Sequence, residues 1–85
     1  DIKISCDGKI RYTVPQKITN IDDVEVYFRV SNVFNNVKVC VYADEKLIKS
    51  VNKIKVAPGE MEKITIKADL LNNITEPITV ELEEV

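Results

Sequence analysis

Apolar and polar residues alternate along most of this chain, and the clearest run is Val24-Glu25-Val26-Tyr27-Phe28-Arg29-Val30. Successive side chains of a strand point to opposite faces, so this run predicts a strand that buries Val24, Val26, Phe28 and Val30 and wets the residues between them. The same two-residue period recurs at Ile2–Cys6, at Ile10–Val14, and around residues 37–42, 64–66 and 78–82. A weaker period runs from Leu47 to Val56. There Ile54 and Val56 are expected inward and Lys49, Lys53 and Lys55 mostly outward, the mark of an edge strand guarded by charge.

Turn residues separate the runs. Asp7-Gly8 predicts a short hairpin between the first two strands, and Pro15, which lacks an amide proton, ends the second or follows an edge. Asn20-Ile21-Asp22-Asp23 predicts a turn, and Ser31-Asn32-Val33-Phe34-Asn35-Asn36 a loop with two apolar residues that solvation alone does not need. Ala43-Asp44-Glu45-Lys46 and Pro58-Gly59 are the tightest turn signals. Residues 69–73 predict a single helical turn capped by Asp69. About seven strands at ten-residue spacing, with no long helical period, predict an all-β fold: an immunoglobulin- or fibronectin-III-like antiparallel β-sandwich formed by residues 1–85 as one domain.

Composition narrows the function. A chain of 85 residues builds one modest core. The net charge of -2, spread over both signs, excludes a nucleic-acid footprint, and no apolar run approaches the ~20 residues of a membrane span. Glu81, Glu83 and Glu84 read as the solvated face and tail of a protected edge strand. With no histidine, the usual general base and the commonest metal ligand are missing. The acidic pairs Asp22-Asp23 and Asp44-Glu45 fall in turns, and the two glycines, Gly8 and Gly59, form no phosphate loop. No catalytic, cofactor-binding or metal-ligating residue is therefore expected. Cys6 and Cys40 match no metal-ligand spacing, and alternation puts Cys40 on the outer face. They favour a reduced, cytoplasmic setting. The rival is a bridge between sheets, as in an extracellular immunoglobulin-like adhesion or spacer module.

The remaining candidates are contact residues. Arg11, Tyr12, Pro15 and Gln16 lie on an irregular edge and combine the residue types that anchor interfaces, with Arg29 on a nearby outer face. Phe34 belongs either to this surface or to the rim of the core. Tyr27 and Tyr42 are expected on the outer faces of neighbouring strands, as a structural pair or as the stacking platform of a carbohydrate-binding module.

Three segments together resemble a known family: Gly8-Lys9-Ile10-Arg11-Tyr12-Thr13-Val14-Pro15-Gln16, then Val26-Tyr27-Phe28-Arg29-Val30, then Ala57-Pro58-Gly59-Glu60-Met61-Glu62. In this order they are similar to the C-terminal domain of FAD-dependent pyridine nucleotide-disulfide oxidoreductases of anaerobic bacteria. The opening at Asp1, with alternation already under way, fits a segment taken from the C-terminus of a longer protein. The resemblance implies a parent enzyme whose FAD and NAD(P) sites lie in upstream domains built on Gly-rich turns that this segment lacks. Its own implied role is non-catalytic docking onto the catalytic body of the parent chain or onto another subunit, with no nucleic-acid or membrane partner. The spacing of Cys6 and Cys40 departs from that of a redox-active disulfide.

Overall fold

The computed structural model describes residues 2–19, 22–72 and 74–84. Along the chain run β1 (Ile2–Cys6), β2 (Ile10–Val14), β3 (Lys17–Ile18), β4 (Val24–Val30), β5 (Phe34–Ala43), β6 (Lys46–Val56), β7 (Glu62–Ile66), α1 (Ala68–Leu71) and β8 (Ile78–Glu84). The strands form one sheet of five, ordered β3-β1-β8-β5-β6, and one of three, ordered β2-β4-β7.

Alternation fills the space between the sheets. Val26, Phe28 and Val30 of β4 with Ile64 and Ile66 of β7 meet Val37, Val39 and Val41 of β5 and Ile78, Val80 and Leu82 of β8 in one buried cluster. Each such side chain contributes about 1.5–3 kcal/mol by leaving water, and the β-branched residues that dominate the cluster also suit the pleated backbone. The expected turns at Asp44, with φ 59°, and at Pro58-Gly59, closed by the Glu60 amide on the Ala57 carbonyl at 3.1 Å, are both present.

The strand inventory differs from the expected antiparallel seven. Among the described residues there are eight strands, β3 having only two residues, and β1 pairs with β8 in parallel, Ile4 opposite Ile78. Asp7-Gly8 is not a hairpin turn: β1 and β2 lie in different sheets, and the turn carries the chain across the core. Asp7 makes that crossing by satisfying backbone groups of both the turn and the sheet. Its amide donates to the Val80 carbonyl at 3.3 Å, while its carboxylate accepts from the amides of Lys9 at 3.0 Å and Leu82 at 3.1 Å. The β1–β8 ladder is thereby extended by a side chain where the strand itself has turned away.

Four further expectations are corrected. β8 lies inside the five-stranded sheet, so Glu81 and Glu83 face solvent from an interior strand and guard no edge. The loop after β4 is shorter than expected because β5 begins at Phe34. Asp69 does not cap α1; the Asp23 carboxylate, from before β4, accepts the Ala68 amide at 2.7 Å. Ile54 points outward and is 85% exposed, whereas the half-buried Lys49 and Lys53 stand opposite the inward Val41 and Val37. Asn20, Ile21 and Asn73 lie outside the described residues.

Ile54 is displaced by a step shared between two strands. On β5 the core-facing residues pass from Phe34 to Val37, and on the paired β6 from Val56 to Lys53, a three-residue stride on both. Asn36, within the β5 stride, has φ 53°, a left-handed conformation that Asn tolerates well. β6 lies on the long edge of the wider sheet, and its inward lysines reach across to β7: Lys49 Nζ donates to the Thr65 carbonyl, and Lys53 pairs with Glu62 at 3.4 Å. Inward-pointing charge on an edge strand also disfavours pairing with another chain.

Replacing Asp7 with Ala strands the Leu82 amide at the sheet's interior, with an expected loss of about 1.5–3 kcal/mol. Glu60→Ala, at an exposed side chain, is expected to change stability by no more than about 0.5 kcal/mol. Urea unfolding of the two variants checks both values.

Candidate docking surface

The pairing of β2 with β4 builds the outer face of the three-stranded sheet. A bulge between Ile10 and Tyr12 keeps Ile10 and Thr13 buried while exposing both Arg11 and Tyr12. Tyr12 then stands opposite Arg29, and Val14 opposite Tyr27. Arg29 is the hub. Its Nε donates to the Tyr12 hydroxyl at 3.0 Å and its Nη1 to the Pro58 carbonyl at 3.2 Å. Tyr12, Arg29 and Pro58 come from three separate stretches of sequence, and the two hydrogen bonds join β2, β4 and the turn before β7.

Around this hub the surface is apolar at intervals. Tyr12 is 37% exposed, Val14 51%, Tyr27 38% and Met61 44%. Glu25 and Lys63 add a polar strip. The Tyr27 hydroxyl donates to Glu25 at 2.9 Å and Lys63 lies 3.5 Å from the same carboxylate. That hydroxyl, with the Lys63 charge, holds the Glu25 carboxyl below its ordinary pKa, while hydrogen bonding to Glu25 raises the Tyr27 phenol. Exposed tyrosines beside a positioned arginine give contact area and hydrogen bonding at low entropic cost.

Arg11 and Gln16 face a different place. With Lys3, Lys17 and Tyr12 they line a cleft of about 640 Å³ between β1 and β2, whose wall also includes Cys6. Pro15 is half-buried between two of these lining segments. Phe34 does not line the cleft; it is half-buried, packs on the core cluster and pairs with Val56. Sequence reasoning missed Lys3, Lys17, Val14 and Met61. Only the sheet order joins the lysines to Arg11, and the bulge reaims β2 so that its last valine is exposed.

The expected tyrosine platform is not formed. Tyr27 belongs to the three-stranded sheet and Tyr42 to the five-stranded one, so their outer faces look away from each other on either side of the core. Tyr42 instead donates to Glu83 across the β5–β8 pair, which pushes its phenol up to about 12. Cys40 lies beside this pair, buried on the outer face of its sheet, and burial raises its thiol pKa.

An inter-sheet disulfide is excluded by topology. Cys6 and Cys40 lie in the same sheet with β8 between their strands, about 10 Å apart at the usual strand spacing and beyond the ~7 Å Cα reach of a disulfide. Cys6 also faces the core side, where its thiol donates to the Ile10 carbonyl at 3.4 Å. Both cysteines are free.

Among the described residues no group of three or more His, Cys, Asp or Glu side chains is placed to hold a metal, and no helix is long and apolar enough to cross a membrane. No family model, curated protein or solved structure matches the chain.

The Tyr42 phenol titrates above its unfolded value of 10.0, so its contribution to stability is full below pH 10 and is lost as pH rises through about 12. Phenolate absorbance of the folded protein is expected to show a step near 12 that Tyr42→Phe removes.

Proposed function

We propose that this domain is a docking module with no catalytic residues of its own. It seats on the catalytic body of its parent chain, or on another subunit, through the outer face of the three-stranded sheet. In this reading the two sheets form an immunoglobulin- or fibronectin-III-like sandwich. The parent is an FAD- and NAD(P)-dependent pyridine nucleotide-disulfide oxidoreductase of the bacterial cytoplasm.

One observation carries the docking reading: Arg29 holds Tyr12 and Pro58 in fixed positions on a face that also exposes Tyr27, Val14 and Met61. An arginine already tied by two hydrogen bonds loses little entropy on meeting a partner, and exposed aromatic and thioether groups supply area to bury. The chemistry of the parent rests on the resemblance of residues 8–16, Val26–Val30 and 57–62 to that family.

The test is calorimetry of the 85-residue chain against the separately expressed parent body, with flavin absorbance as a second readout. Saturable binding to a flavin-loaded body is expected, weakened about tenfold or more by Arg29→Ala combined with Tyr27→Ala in a variant that keeps its fold. Unchanged affinity overturns the surface. A body without flavin overturns the family.

A further inference from the structure

We propose that the cleft between β1 and β2 receives an extended acidic segment of the docking partner, added as a strand along the free edge of β2. The inference rests on the docking reading, because Tyr12 belongs to both surfaces.

Three observations converge here. The first is charge. In a chain of net charge -2, the cleft is lined among the described residues by Lys3, Arg11 and Lys17 and by no carboxylate. Asp7, between β1 and β2, is occupied by the Lys9 and Leu82 amides. Among the described residues the ion pairs involve Lys53, Lys63 and Lys67, and none of them engages a cleft cation.

The second is backbone. Among the described residues β2 pairs with β4 alone, which leaves its other edge without a partner strand. On β1, pairing with β3 ends at Lys3, and one further bond, from the Ile4 amide to the Gln16 carbonyl at 2.8 Å, closes that side. Beyond it two strand edges border the same opening. Unpaired edge groups are the template for strand addition, in which main-chain bonds supply affinity and flanking side chains choose the sequence.

The third is fit. A cleft of about 640 Å³ lies within the range of ligand-binding pockets, roughly 300–1,000 Å³. Buried Ile4 and Thr13 form part of its wall, and the flexible cations stand exposed around it. A strand of alternating carboxylate and small side chains sets its acids against Lys3, Arg11 and Lys17 while its backbone follows β2.

The probe is a short acetylated peptide of alternating Glu and Thr, titrated into the isotope-labelled chain, with a Gln–Thr peptide as the neutral control. Amide shifts are expected to concentrate at residues 3–6 and 11–13 and to fade with added salt. Arg11→Glu with Lys17→Glu is expected to weaken binding about tenfold or more, Lys46→Glu is not, and the neutral peptide does not bind. Absence of binding, equal binding of the neutral peptide, or indifference to the charge reversal overturns the proposal. Association with the parent body that falls with Arg29→Ala but ignores the reversal keeps the docking face and removes the acidic strand. Peptide binding that survives when the body ignores Arg29→Ala keeps the cleft and removes the docking face.

Discussion

A sheet of three strands cannot cover a sheet of five. At the usual spacing of about 4.8 Å per strand, the difference leaves roughly 10 Å of the wider sheet without an apolar partner. The fold answers this mismatch where it arises. The fully buried valines and isoleucines concentrate on β4, β5, β7 and β8, where the layers overlap. On the overhanging β6, long side chains replace them: Lys49 and Lys53 lay their methylene stems inward and bring their amines to polar groups of β7. The position of the core and the resistance of the long edge to aggregation follow from this one geometric inequality.

The same inequality produces the surface proposed for docking. A narrow sheet keeps few strands, so its outer face is governed by the pairing of β2 with β4 and by the turn that delivers β7. Arg29 lies at that junction and fixes all three. The chain reaches the narrow sheet through a crossing that depends on Asp7, which extends the β1–β8 ladder at the point where β1 leaves it. The opening between β1 and β2 is thus the price of changing sheets, and it is left lined by cations.

Much of this was legible in the sequence, for a local reason. Alternation alone places Val26, Phe28, Val30, Ile64, Ile66, Ile78, Val80 and Leu82 in the core, because a strand's period is fixed by its backbone. What the sequence concealed depends on long-range pairing. Ile54 shares parity with buried Val56, and only the three-residue stride that β5 and β6 take together exposes one and buries the other. Asp23 and Asp69 are equally suited to cap a helix; the choice was made by the chain path that brings residue 23 beside residue 68. On the surface, residue type alone marks Arg11, Tyr12 and Gln16 as contact candidates, and the three line one cleft. Lys3 and Lys17 join them only through sheet order, and Tyr27 parts from Tyr42 because their strands belong to different sheets.

Hydroxyl-radical footprinting of this chain, free and together with the proposed parent body, bears most directly on the proposed docking face. The proposed docking face predicts that Tyr12, Tyr27 and Met61 are oxidised in the free chain and protected in the complex, while Leu47 and Ile54, exposed on the other sheet, react alike in both. Protection of Leu47 and Ile54 with Tyr12, Tyr27 and Met61 left reactive would contradict it.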